Sequence, residues 1–457
     1  MKKIILFVLC LMPFAVFGQS QNIRHVITPD GEVTFWRGQQ QLTVRGYTGE
    51  PIYVADHYVA VNGDDANPGT FEQPWATWSK AFDEVAAGDT VYIRGGEYYT
   101  TVAFEIEADN IDGTAENLIC IFNYPGEKPI LNLINITVNS EAPNYNRGTA
   151  LKNCEYWHIK GLEIKNVNNL GVGGNTTAFY FENCSNIISE NCVAHDIEGI
   201  GYESLTQPGL MTYINCDAYD NYDPLSAIPG GNADGFQCMT GETWSNSVTI
   251  YTGCRSWNNS DDGYDCLGFE GIVTYDSCWA FSNGWQDEGD GDGFKLGATY
   301  EIPKEEPQRI LRNCIAYGNK NIGFDENQEP GNYVLDADIF NNVAYDNYSG
   351  FVFQETDTKT VILRNNIAYN NENDIYLEGC TDDHNSWDAD PPVTVTNADF
   401  VSVDGGQLDN SRQSDGSLPV ITFFHLVTGS DLKNAGVDVG LPYMGAAPDI
   451  GCFEFDE

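Results

Sequence analysis

Seven short segments repeat one pattern along the middle of the chain. They are NCVAHDI (191–197), NCDAYDN (215–221), GCRSWNN (253–259), SCWAFSN (277–283), NCIAYGN (313–319), NNVAYDN (341–347) and NNIAYNN (365–371). The shared unit is a small or amide residue, Cys or Asn, any residue, Ala or Ser, an aromatic, any residue, then Asn. Its second positions step by 24, 38, 24, 36, 28 and 24 residues. A period in the twenties, lengthened by insertions, is the mark of a solenoid whose repeats bury their apolar sides against one another. Stretches such as TYINCDAY, VTIYTGCRSW and IVTYDSCWAF alternate in polarity and are broken by Gly, Asn and Asp, as short strands are. Long amphipathic helical patterns are absent from 100 to 400, which excludes leucine-rich and helical repeats. The chain is therefore expected to be all-β, a parallel β-helix rising about 4.8 Å per coil.

Stacked repeats place equivalent residues above one another. Cys192, Cys216, Cys254, Cys278 and Cys314 are expected to form an internal ladder of free, buried thiols, because Ala, Ser and Asn fill comparable small positions. A disulfide between adjacent coils is geometrically possible. The closing asparagines Asn221, Asn259, Asn283, Asn319, Asn347 and Asn371 are expected to stack at a turn and bond to one another. One helix is readable, in TWSKAFDEVAAGD (77–89), with Thr77 as its cap and Trp78, Phe82 and Val85 on one face. It is expected to cap the N-terminal end of the solenoid. The reading divides the chain into a signal peptide (1–18), a leader (19–56), the β-helix (57–410) and a closing segment (411–457).

The opening MKKIILFVLCLMPFAVFGQS pairs two lysines with an apolar run and Val16-Phe17-Gly18, as a secretory signal does, so export is expected. Lysines and arginines number 22 against 67 aspartates and glutamates, a formal net charge of −45. Such a surface repels nucleic acid and anionic lipid, and no later segment is long and apolar enough for a membrane span. A monomer without nucleic-acid or membrane partners is expected. An acidic polymer would be accepted only where a local site reverses the sign.

Three acidic motifs mark such a place: NADGF (232–236), SDDGYDCLG (260–268) and GDGDGFKLG (289–297). Asp234 lies 27 residues before Asp261, and Asp265 lies 30 before Lys295, each about one coil. Asp234, Asp261, Asp262, Asp265 and Lys295 should therefore gather on one face. Crowded carboxylates stay ionised only beside a cation, and oxygen ligands without Cys or His favour Ca²⁺. An isolated Asp-Gly pair usually marks only a turn; three in register point further. The run DEGDGDG (287–293) lacks the closing glutamate and flanking helices of an EF-hand. A lysine among acids is most often an ion-pair partner. Beside a metal-bound sugar carboxylate it has a second role, as a base whose pKa the cation and burial would lower.

NADGF, CRSWNNSDDGYD and GDGFKLG resemble polysaccharide lyase family 9, the calcium-dependent pectate lyases with a right-handed parallel β-helix. The stretch beginning YVAVNGDDANPGTFEQPWATWSKAF and the closing PDIGCFEF are similar to that family's ends, so the resemblance spans about 57–455. It implies that Asp234, Asp261, Asp262 and Asp265 hold the catalytic calcium and that Lys295 is the Brønsted base. The expected reaction is β-elimination on a uronate polymer, polygalacturonate first, with rhamnogalacturonan or another uronate as the alternative. The acidic insertion Asp287–Asp292 departs from the pattern. Arg255, Arg312 and Lys320 are candidate contacts for further substrate carboxylates, from their position beside the site coils.

Two rival readings remain open on sequence. Asp234, Asp261 and Asp262 would suit an inverting hydrolase, but no Gly-His-Gly turn is present, and His195 is expected to be buried packing. A non-catalytic carbohydrate-binding solenoid would use exposed Trp257, Tyr264, Trp279 and Trp285, and would leave Lys295 without a task.

Overall fold

Each repeat folds into one coil of three short strands, and the coils stack into three parallel sheets of ten, twelve and ten strands. The computed structural model describes residues 55–455 except 102–105, 137–145, 172–175, 206–208, 240–246, 287, 298–306, 328–333 and 355–357, together with three N-terminal strands. Those strands, Arg24–Ile27, Val33–Arg37 and Gln40–Val44, pair antiparallel within the expected leader. The expected signal peptide lies outside the described residues.

The first sheet runs from Glu107–Asp109 to Asn373–Leu377, the second from His57–Val59 to Thr381–Asp383, and the third from Gly96–Tyr99 to Ile367–Tyr369. Alternation decides which residues line the interior. On the first sheet Tyr202, Phe236, Tyr264, Phe294, Phe324 and Phe351 turn inward in register and stack with ring centroids 4.7 to 5.0 Å apart. Such pairs contribute about 0.5–1.5 kcal/mol each beyond their area burial.

The expected ladders form. Cys192, Cys216, Cys254, Cys278 and Cys314 are free and fully buried. The row continues as Asn342, Asn366 and Asn385, joined by amide bonds of 3.0 and 2.9 Å. Asn221, Asn259, Asn283, Asn319, Asn347 and Asn371 are linked Nδ2 to Oδ1 at 2.8 to 3.0 Å. One disulfide, Cys238–Cys266, joins adjacent coils.

The same turn explains the repeated Asp-Gly. A Cβ on Gly263 would lie 2.6 Å from the Gly293 carbonyl oxygen and 2.9 Å from Asn283 Nδ2 of the amide ladder. Only glycine lets the coils close there.

The helix forms at Trp78–Asp83, where Thr77 Oγ1 accepts from the Lys80 N–H at 3.2 Å. Trp78, Phe82 and Val85 join the interior cluster, and the Phe82 ring meets Trp157.

The C-terminal segment differs from expectation. The repeat ends at Thr381–Asp383, earlier than 410. Phe400, Leu408, Ile421, Phe423, Phe424, Leu426 and Ile450 then pack along the outer side of the third sheet, against Trp257, Phe281, Ile315, Val343 and Tyr345. The physical reason is that sheet's outward aromatic row, His195, Tyr219, Trp257 and Phe281, which stacks with centroids 4.3 to 5.4 Å apart and needs a cover. Trp257 and Trp279 are accordingly buried rather than exposed for sugar stacking, and Tyr264 is buried in the interior stack of the first sheet; of the four aromatics considered, Trp285 alone is exposed.

Candidate active site

Three consecutive coils bring the acidic motifs to one edge of the first sheet. Their strands there are Phe236–Met239, Tyr264–Asp265 and Phe294–Lys295. Because Phe236, Tyr264 and Phe294 turn inward, the alternate residues Gln237, Asp265 and Lys295 form one row on the other face, and Asp325 continues it. Asp265 and Lys295 are thus direct neighbours, as their spacing suggested.

The turns leading into these strands carry a second row. The Asp262 N–H donates to Asp234 Oδ1 (3.1 Å), the Asp292 N–H to Asp262 Oδ1 (2.7 Å), and the Ile322 N–H to Asp292 Oδ1 (2.8 Å). Each carboxylate satisfies the backbone of the next coil with one oxygen. Asp234 is therefore in register with Asp262, not with Asp261. Gln237 Nε2 donates to Asp234 Oδ2 at 3.0 Å and fixes that side chain. Asp261 Oδ1 accepts from the Asp290 N–H at 2.8 Å, which ties the acidic insertion to the middle coil.

Oxygens of Asp234, Asp262 and Asp265 lie within 4.8 Å of one another, and all three residues are buried. Asp261, Asp262 and Asp290 form a second, overlapping group of the same spread. The four expected ligands are thus adjacent but split, with Asp262 common to both groups. A dense oxygen-only donor set of this kind fits a hard divalent cation.

The electrostatics agree. Lys295 Nζ lies 2.8 Å from Asp262 Oδ2 and 3.1 Å from Asp290 Oδ2. One ammonium does not balance the surrounding acids. Burial, reinforced by Asp261, Asp265 and Asp262, holds the Asp234 pKa well above its ordinary value. Burial and Asp262 push Asp261 up to about 8, and burial pushes Asp265 up to about 6 despite Lys295. Buried carboxylates shifted this way need added positive charge to ionise. For Lys295, burial works against the ammonium, but Asp262 and Asp265 outweigh it and hold the pKa above the usual lysine value. The expected lowering is thus reversed when protein charges act alone, because the lysine is ringed by acids.

The three basic candidates separate. Arg255 lies on the third sheet, away from the site. Its guanidinium donates to both Asp217 oxygens (2.9 and 2.8 Å) and to the carbonyls of Leu408 and Asn410. Burial disfavours the Asp217 carboxylate, but Arg412 and Arg255 outweigh that and keep its pKa low. Together these groups pin the C-terminal segment to the solenoid. Arg312 lies on the second sheet, paired with Asp276 at 3.0 Å. Lys320 does border the site, where its Nζ donates to the carbonyls of Gln286 (3.0 Å) and Gly289 (2.6 Å) and braces the acidic insertion. Asp287 of that insertion lies outside the described residues.

The sequence reading missed Gln237 and Asp325 as site members, and took Asp290 only as part of the acidic run 287–293. A signal was available. Aligned on their glycines, DGFQC, DGYDC, DGFKL and IGFDE place Gln237, Asp265, Lys295 and Asp325 in one column.

Comparison with known proteins fits this geometry. Residues 57–385 match the family model described as Pel9A-like, right handed beta helix region. Pectate lyase L of Dickeya dadantii is 31% identical over 423 residues, which cover 87% of this chain and 90% of the relative. Pectate lyase PEL9 of Emericella nidulans is 31% identical over 412 residues, 83% and 94% of the two chains. The crystal structure of pectate lyase Pel9A superposes with a TM-score of 0.72 at 28% identity, covering 88% of this chain and 96% of that one. A rhamnogalacturonan lyase shares the fold, with a TM-score of 0.67 at 24% identity.

The fold and these relatives define a polysaccharide lyase built on a right-handed parallel β-helix. Within that class, the chain belongs to the Pel9A-like, pectate lyase-type family.

Proposed function

We propose that the protein is an exported, calcium-dependent lyase that cuts polygalacturonate by β-elimination. The observation that carries this reading is Lys295, one coil beyond Asp265 in register, with Nζ on Asp262 at the edge of the buried carboxylate group. Curated relatives that bear the name pectate lyase support the substrate class. Among the described residues no helix is long and apolar enough to cross a membrane.

Asp234, Asp262 and Asp265 would hold the ion, with Asp261 beside them through Asp262. Calcium bound there supplies a counter-charge for the substrate carboxylate and for the charge that develops at C5. With the aspartates' charge committed to a cation, the cause that raises the Lys295 pKa weakens and burial favours the neutral amine. Neutral Lys295 takes the C5 proton. The C5–H electron pair becomes the C4–C5 double bond, and the glycosidic oxygen leaves C4 with its bonding pair and takes a proton from water. Gln237 and the bonded turn backbone keep the acids in place, so little reorganisation is needed. The test is ultraviolet absorbance of the unsaturated uronide during digestion of polygalacturonate, rhamnogalacturonan and alginate with calcium present. Strong signal on polygalacturonate is expected; silence on all three rejects the reading.

A stability effect follows from the same carboxylates. In chelator, Asp261 and Asp265 keep protons in the folded state, up to about 8 and about 6, that an unfolded chain releases near about 3.9. The folded state then binds more protons, so their contribution to stability falls as pH rises from about 4 to about 8. The melting temperature of wild type minus that of an Asp261→Asn/Asp265→Asn variant should fall across this window. Calcium should reverse the trend. A difference that rises with pH in chelator contradicts the assignment.

A further inference from the structure

Two long turns of the first-sheet edge carry exposed apolar side chains that the chemistry above does not use. One turn follows Asp217–Tyr219 and carries Leu225 and Ile228, 40% and 56% exposed; the other follows Trp279–Phe281 and carries Trp285, 52% exposed. The coil between them has only a short turn, 258–263, and the two long turns meet across it. The Tyr222 and Trp285 rings are 5.4 Å apart at 55°. A Cβ on Gly230 would come within 3.1 Å of Gln286 Cβ and 3.4 Å of the Tyr222 ring, and one on Gly289 would clash with the Ser260 carbonyl at 1.8 Å. Glycine at these positions lets the turns close on each other. Lys320 then clamps the second turn through the carbonyls of Gln286 and Gly289. An exposed indole on a braced turn is held in place at low entropic cost, unlike one on a loose loop.

This turn is continuous with the catalytic edge. Five residues after Trp285, Asp290 bonds through its N–H to Asp261 and through its carboxylate to Lys295. The indole therefore stands on the same turn that brings Asp290 to Asp261 and Lys295. We infer that Trp285, backed by Tyr222, is a saccharide-stacking subsite that takes the C–H face of a pyranose ring flanking the one cleaved. The acids beside it, Glu288 and Asp290, disfavour a uronate carboxylate at that spot, so the uncharged ring face is the part that fits. An amphipathic pyranose suits an amphipathic aromatic, which offers large apolar contact with few rotors. The inference rests on the lyase reading for the identity of the polymer, and on the two turns alone for the existence of the platform.

The test is binding of galacturonate oligosaccharides to the Lys295→Ala protein in calcium, where ligand is not consumed, by calorimetry. Trp285→Ala in that background should weaken the longer oligosaccharides by about 3- to 10-fold, and Tyr222→Ala by less. Trp285→Phe should restore most of the loss, because the stacking face is kept. Circular dichroism checks that the variants stay folded. Equal affinity with and without Trp285, or no oligosaccharide binding by any of the proteins, overturns the subsite, even if Trp285→Ala alters self-association. Weaker binding in Trp285→Ala while wild type makes no unsaturated product supports the subsite and rejects the lyase reading. Unsaturated product with unchanged binding does the reverse.

Discussion

Lys295→Ala should lower kcat on polygalacturonate by at least about 10²-fold at saturating calcium, the usual scale for losing a general base. Calcium affinity should change far less, because the carboxylates remain. Arginine should not rescue, since a guanidinium stays protonated and cannot accept the C5 proton. The structure makes that comparison sharp. Lys295 Nζ pairs with Asp262 and Asp290, and arginine preserves the charge that those pairs need. If Lys295 were only an ion-pair partner, arginine would keep most of the turnover, while alanine would cost mainly stability. Activity should also climb along an alkaline limb, because the base works only when neutral. Near wild-type kcat in the arginine variant would reject the base assignment.

Removing calcium should abolish turnover, and replacing Asp262 should reproduce much of that loss. Asp262 is fully buried and belongs to both oxygen groups. Asp262→Ala should weaken calcium binding by at least about 100-fold, beyond the 10- to 100-fold typical of losing an outer-shell partner. It also strips the acceptor from the buried Asp292 N–H, costing about 1–3 kcal/mol. Asp262→Asn separates the two effects, because its amide oxygen still accepts from Asp292 while the charge is gone. Calorimetric calcium titration of the three proteins provides the readout. Unchanged calcium affinity in both variants, or full activity in chelator, would contradict the metal assignment.

Much of this was legible in the chain because solenoids write three-dimensional neighbours into a linear repeat. The Cys and Asn ladders follow from a residue type recurring at one position of the unit. The pairing of Asp265 with Lys295 follows from a spacing of one coil. Turn register was harder to read. Asp234 aligns with Asp262 and not Asp261, because turns of unequal length precede otherwise equivalent strands, and only the glycine before each inward aromatic fixes the count. Arg255 was hidden for a different reason. Its partner carbonyl on Leu408 is 153 residues away, in a segment outside the repeat, so nothing local reveals that the third sheet is covered. The same cover buries Trp257 and Trp279. The sign of the Lys295 shift depends on how many acids surround one ammonium, which spacing alone does not count.

The central claim is that a bound uronate loses a proton and a leaving group without attack by water. Digestion of polygalacturonate in water labelled with heavy oxygen, with calcium present, tests it by mass spectrometry of the early products. Elimination leaves the original glycosidic oxygen on the new reducing end, so the account predicts unsaturated products without label. Saturated products carrying one heavy oxygen at each new reducing end would show hydrolysis by the aspartates and would contradict it.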